Sequence, residues 1–201
     1  MIYLIRHGET AGNASRFVQT PDCPLSERGR SQAERLGKRL AAERVEHIIS
    51  SDLTRAVSTA EFVQRATGAS MSIDPALQER NFGDLRGRPY SERTIDIFAE
   101  DYLPPNGETW AVFHARVDRA WENVQKQLER VSGNVAIVTH GLVCYSLASR
   151  YLTLGSGEAV PPRWGNASLT IIERQRPWQV QLLDCVAHLS DDGAKSSTQP
   201  P

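Results

Sequence analysis

The run Val135-Ala136-Ile137-Val138-Thr139 constrains this chain more than any other segment. It carries no charge and does not alternate between apolar and polar, as a half-solvated strand would. Such a run predicts a central strand buried on both faces, which requires parallel neighbours and helices on either side. Ile2–Ile5, ending at Arg6, reads as a second buried strand. Val45–Ser50, containing His47-Ile48-Ile49, predicts a third, and Met71-Ser72-Ile73 a fourth. Ser168–Glu173 and Gln179–Asp184 predict two late strands separated by Arg176-Pro177.

Helical signals fall between these runs. Pro24-Leu25-Ser26 opens one helix, with Ser26 as N-cap and Ala33, Leu36 and Leu40 at helical spacing. Ser51-Asp52 opens another, with Ala56, Ala60 and Val63 on one face. The strongest signal is Trp110, Phe113, Val117, Trp121, Val124, Leu128 and Val131, spaced by threes and fours and stopped at Ser132-Gly133-Asn134. Leu142 to Leu152 reads as helix, Leu77 to Pro89 as loop, and Tyr90 to Tyr102 as helix before the break Pro104-Pro105-Asn106-Gly107. Strands alternating with helices predict an α/β fold with a mostly parallel sheet covered on both faces. No repeat or linker divides the chain, so residues 1–189 are expected to form a single domain, with 83–106 as a lid-like excursion over the sheet edge. The polar tail 190–201 is expected to be disordered. Late strands at a sheet edge could pair between subunits, which would give a homodimer.

Composition limits the partners. The 201 residues carry a net charge of -1, so no global basic field draws nucleic acid or anionic lipid. No apolar run approaches a membrane span, and Met1–Arg6 is too short for a signal peptide. Cys23, Cys144 and Cys185 are odd in number and far apart, which argues against a disulfide framework and for reduced thiols in the cytoplasm.

His7 and His140 each follow a strand directly, and each precedes a glycine. Ligands of open α/β sheets bind at the carboxyl ends of the strands, so two such strands could bring both imidazoles to one site. Gly141 also stands at a helix start, where free N–H groups favour an anion. Arg6 precedes His7, and Arg55 lies one turn into the helix after the Val45–Ser50 strand. Two guanidinium forks, two imidazoles and a helix N-terminus would make a pocket for a phosphoryl dianion. Glu79, in the loop after Met71-Ser72-Ile73, is the candidate proton donor to a leaving alkoxide. Metal ligation by His7 and His140 lacks a third ligand and any His-x-His or His-Glu-x-x-His spacing, so no metal or other cofactor is expected. His47, His114 and His188 read as surface or packing residues. Spacing alone leaves Glu9, Asp52 and Glu108 open among helix caps, surface carboxylates and site residues.

Arg6-His7-Gly8-Glu9-Thr10, with Asn13 six residues after His7, resembles the signature of the histidine phosphatase superfamily, which includes the cofactor-dependent phosphoglycerate mutases and many phosphatases. Further matching blocks follow in order to about residue 172: Pro24–Gly29, Ser50–Ala56 with Thr59-Ala60, Leu77–Gly83, Asn106–Thr109 and Val138–Gly141. The resemblance implies a three-layer α/β/α sandwich and a metal-independent reaction through phosphohistidine on His7. It implies that Arg6, Arg55 and His140 bind the phosphoryl group with Asn13 at the rim, and that Glu79 serves as acid and then base. Glu9, Arg80 and Glu108 lie in the matching blocks and join Gly141 as candidate substrate-binding residues. Mutases of the family usually carry Gln-Ser where this chain has Glu9-Thr10, and a longer insertion than the 60 residues between Glu79 and His140. Both departures favour hydrolysis of a small phosphorylated metabolite over return of the phosphoryl group to a second hydroxyl. Glu9 near the pocket would also disfavour a second anionic group on the substrate.

Overall fold

The computed structural model describes residues 1–90, 96–99 and 101–190. Six strands form one sheet: β1 (Ile2–Arg6), β2 (Val45–Ser50), β3 (Ser70–Ile73), β4 (Asn134–Thr139), β5 (Leu169–Ile172) and β6 (Val180–Cys185), in the spatial order β3-β2-β4-β1-β5-β6. β3, β2, β4 and β1 run parallel, whereas β5 is antiparallel to β1 and β6 antiparallel to β5. β4 lies between β2 and β1, and Val135 through Val138 have no solvent exposure.

Successive side chains of a strand point to opposite faces, so β4 feeds two cores. Val135 and Ile137, with Ile2 and Leu4, pack under α4 (Trp110–Leu128) and α5 (Gly141–Arg150). Ala136 and Val138, with Tyr3, Ile5 and Ile48, pack under α2 (Glu27–Leu40) and α3 (Thr54–Thr67). The result is the expected three-layer α/β/α sandwich. Phe113, Val117, Trp121, Val124 and Leu128 all face the first core, as their helical spacing predicts.

Element boundaries differ where side chains intervene. α3 starts at Thr54 rather than at Ser51-Asp52, because the Ser51 N–H still bonds the Val138 carbonyl of the sheet (3.0 Å) and the Ser51 hydroxyl accepts the Leu53 N–H (3.3 Å). α4 ends at Leu128, short of Val131, where the Arg174 guanidinium binds the carbonyls of Leu128 and Val131 and turns the chain. A short helix α1 (Ala11–Ala14) went unforeseen; Thr10 and Asn13 cap it reciprocally. Of the expected 90–102 helix, residues 91–95 and 100 lie outside the described residues. Asp96–Ala99 instead forms a turn, closed by the Ala99 N–H on the Asp96 carbonyl. The tail from 191 also lies outside them. Among the described residues no helix is long and apolar enough to cross a membrane, and Cys23, Cys144 and Cys185 are free thiols.

Candidate active site

β1 and β4 pair in register, Arg6 beside Thr139, so both strands end at the same edge. His7 and His140 follow them there, with ring centroids 5.1 Å apart and planes tilted by 57°. The His7 backbone is fixed from both sides. Its N–H donates to the Thr139 carbonyl (2.9 Å), and its own carbonyl accepts the Ala167 N–H (3.1 Å) and the Asn166 amide (3.2 Å). α2 presses directly on this loop. A Cβ on Gly8 would stand 2.5 Å from the Gly29 carbonyl oxygen, and one on Gly29 would stand 1.9 Å from that of Glu9, so both positions need glycine for close backbone approach.

His7 Nδ1 lies 2.7 Å from the Gly8 carbonyl oxygen. A carbonyl only accepts, so Nδ1 carries the hydrogen and Nε2 keeps its lone pair. Burial, and then the charges of Arg55 and Arg6, hold the His7 pKa well below that of an ordinary imidazole. The ring is therefore neutral and nucleophilic at Nε2. His140 is fully buried, and burial followed by the charge of Arg55 likewise keeps it neutral. It stands beside His7 rather than in the cavity wall.

Arg55 is almost fully buried, and one terminal nitrogen donates to the Thr20 carbonyl (3.1 Å). Arg6 donates from one terminal nitrogen to the Trp164 carbonyl. Arg6 Nε, Arg55 Nε and His140 Nδ1 are three buried nitrogens with no partner in the protein. Arg6 and Arg55 line one cavity of about 710 Å³ with His7, Asn13, Glu79 and Gly141. Asn13 Oδ1 accepts from the Thr10 N–H, the Thr10 hydroxyl and Asn166, which leaves the Asn13 amide hydrogens as its free donors.

The Glu79 carboxylate accepts the Arg80 N–H (3.0 Å) and the Leu142 N–H at the start of α5 (3.2 Å). Burial raises its pKa above the usual carboxylate value against those two bonds and against Arg55 and Arg6. The loop that carries it is clamped by Arg116 of α4, which donates to the carbonyls of Ala76 (2.9 Å), Gln78 (2.8 Å) and Glu79 (3.3 Å). The same guanidinium grips both Glu108 oxygens, at 2.9 and 2.8 Å. Arg116 carried no signal in the sequence beyond a polar position on α4. Asn166 was also missed; it stands just before β5, whose antiparallel direction brings its start to the carboxyl edge of the parallel strands.

Three candidates point elsewhere. Glu9 lies outside the cavity wall; its carboxylate accepts the Ser26 hydroxyl (3.0 Å) and faces Arg28 (3.4 Å). The inference that Glu9 repels a second anionic group therefore has no geometric basis. Glu108 is held by Arg116 and the Asn81 N–H (2.8 Å), also outside the wall. Arg80 touches the cavity, but its guanidinium donates to the carbonyls of Ile97, Tyr102 and Glu108 and lies 4.2 Å from the Trp110 ring centre. It ties the excursion down instead of reaching a ligand. Asp52 binds Gln78 at the surface. His47 bonds Ser70 and Ser72, His114 bonds Ser146 and His188 bonds the Ala167 carbonyl, all packing roles. Among the described residues no group of three or more His, Cys, Asp or Glu could hold a metal ion.

The sequence profile of the histidine phosphatase superfamily (branch 1) matches residues 2–184. A relative from Erwinia tasmaniensis, named "Probable phosphoglycerate mutase GpmB", is 31% identical over 206 residues, which span 94% of this chain and 95% of that one. The solved structure of Bacillus stearothermophilus YhfR is 34% identical with a TM-score of 0.79, covering 94% of this chain and 98% of that one. The α-ribazole phosphatase of Shigella flexneri is 25% identical with a TM-score of 0.77, covering 92% and 96%. Site geometry, sequence profile and fold agree: the chain belongs to the histidine phosphatase superfamily.

Proposed function

We propose that this protein is a metal-independent phosphomonoesterase that hydrolyses a small phosphorylated metabolite through a phosphohistidine on His7. One observation carries the reading: a neutral imidazole with its Nε2 lone pair free stands among three buried, unpartnered nitrogens, the Nε–H groups of Arg6 and Arg55 and the Nδ1 of His140. Buried donors without partners are costly, and a phosphoryl dianion satisfies them together. The same donors hold the extra charge of the phosphoryl-transfer transition state.

The steps then follow. His7 Nε2 attacks phosphorus while the ester P–O bond breaks, and protonated Glu79 gives its proton to the departing alkoxide. The resulting Glu79 carboxylate takes a proton from water, whose oxygen attacks phosphorus. The P–N bond breaks, inorganic phosphate forms, and His7 is neutral again.

Beyond the phosphoryl end, the cavity wall turns apolar and aromatic at Val18, Phe82, Leu142, Tyr145 and Trp164, with Arg16, Arg86 and Arg163 also lining it. A cavity of about 710 Å³ suits a ligand with an organic body rather than a bare phosphoryl group. The short segment between Glu79 and His140 further favours water as acceptor.

The second reading is a phosphoglycerate mutase, favoured by the name of the Erwinia relative. A screen of phosphorylated metabolites for phosphate release, run after chelator treatment and beside His7→Ala, separates the two. Release by the treated protein and none by His7→Ala is the expected result. Full activity in His7→Ala would sink the phosphohistidine route. Interconversion of phosphoglycerates with little free phosphate would establish the mutase.

A further inference from the structure

We propose that Ser51 sets the tautomer of His140, so that His140 Nδ1 carries the hydrogen that a phosphoryl oxygen accepts. Ser51 directly follows β2, where Ser50 pairs with Val138 of β4, and its N–H donates to the Val138 carbonyl (3.0 Å). Adjacent strands thus bring the Ser51 hydroxyl to His140. Both side chains are fully buried, and Ser51 Oγ lies 2.9 Å from His140 Nε2.

That contact can run in two directions, and its neighbours decide between them. Ser51 Oγ already accepts the Leu53 N–H at 3.3 Å. If His140 Nε2 also donated, Oγ would accept twice and its own hydrogen would have no acceptor. His140 Nδ1 would then be a bare lone pair on the ring beside His7, 5.1 Å between ring centres, and it would repel the oxygens of a phosphoryl group on His7. If Ser51 donates instead, its hydroxyl accepts once and gives once, so its single hydrogen is used, within the one-donor, two-acceptor capacity of a serine. His140 Nε2 is then the acceptor, and the hydrogen resides on Nδ1. Nδ1 is the buried atom that has no partner in the protein.

The chain therefore runs from Leu53 N–H to Ser51 Oγ, from Ser51 O–H to His140 Nε2, and from His140 Nδ1–H to the phosphoryl group. Ser51 touches no reacting atom; it is a positioning residue that acts through His140. Only the last link rests on the phosphoryl-transfer reading, and the tautomer can be measured without any activity.

Nitrogen-15 NMR of the histidine rings tests the proposal on the full chain, with His140 resonances assigned by their loss in His140→Gln. Wild-type His140 should show a protonated Nδ1 and an accepting Nε2. Ser51→Ala should shift the ring toward the Nε2–H form and weaken inorganic phosphate binding about tenfold or more, the loss expected for one hydrogen bond to a charged group. Ser50→Ala removes the neighbouring buried hydroxyl, which donates to the Ser51 carbonyl (2.8 Å), and should leave tautomer and affinity unchanged. An Nε2–H tautomer in wild-type His140 would overturn the proposal. So would an unchanged tautomer in Ser51→Ala, or an equal loss of phosphate affinity in Ser50→Ala. A protein that holds the Nδ1–H tautomer yet hydrolyses no phosphomonoester would refute the phosphatase reading while supporting this one.

Discussion

At the residue scale, burial works in opposite senses on the two groups that must exchange roles. It holds His7 neutral well below the usual imidazole pKa and pushes the Glu79 carboxyl above its usual value. The two shifts run toward a neutral base together with a protonated acid, and kcat/KM should be bell-shaped in pH. Its acid limb should fall below the ordinary imidazole value, and Glu79→Gln should remove the limb set by the raised carboxyl; a pH–rate series on both proteins checks this. Stability should carry the same signature. The folded Glu79 pKa lies above the unfolded one, so its contribution is whole below the unfolded value and is lost as pH rises through the folded value. Glu79→Gln should match the wild type at low pH and exceed it in thermal midpoint at neutral pH, read by calorimetry across pH. His7, Arg6, Arg55, Asn13, Glu79 and Gly141 were legible as cavity residues because each sits next to a strand end, a helix start or a matching block. Glu9 was misread because its direction depends on Ser26 and Arg28, which only the packing of α2 brings near.

At the element scale, the loop carrying the acid is ordered by a helix outside the cavity. The Arg116–Glu108 pair is mostly buried, with each side chain 14% exposed, and it spans the Ala76–Asn81 segment through carbonyl and N–H bonds. Arg116→Ala leaves the Glu108 charge without its partner. It should cost about 3 kcal/mol in a denaturant titration, the range for breaking a buried pair, and lower kcat far more than it changes phosphate binding. Sequence periodicity placed α4 and the strands well, because a period is a local property of the chain. It overran α4 at Val131 and opened α3 early at Ser51. Arg174 and the sheet bond of Ser51 set those limits, and both partners are distant in sequence.

At the scale of the whole molecule, the site exists only when the sheet is assembled, since its residues come from β1, α3, the loop after β3 and the start of α5. Inorganic phosphate should therefore act as a folding ligand. At about 100 times its Kd it should add about 2.7 kcal/mol to the free energy of unfolding, seen as a higher thermal midpoint, and His140→Ala should lose most of that gain. By itself the sequence determined the alternation of strands and helices, the doubly covered sheet and the placement of two histidines at strand ends. Run length, period and neighbouring glycines are written locally. Only the tertiary structure decided which charges face the cavity, that Arg80 and Glu108 brace the loop instead of a ligand, and that Ser51 meets His140. Those contacts join residues 27 to 89 positions apart, and their direction follows from how β2, β4 and α4 pack.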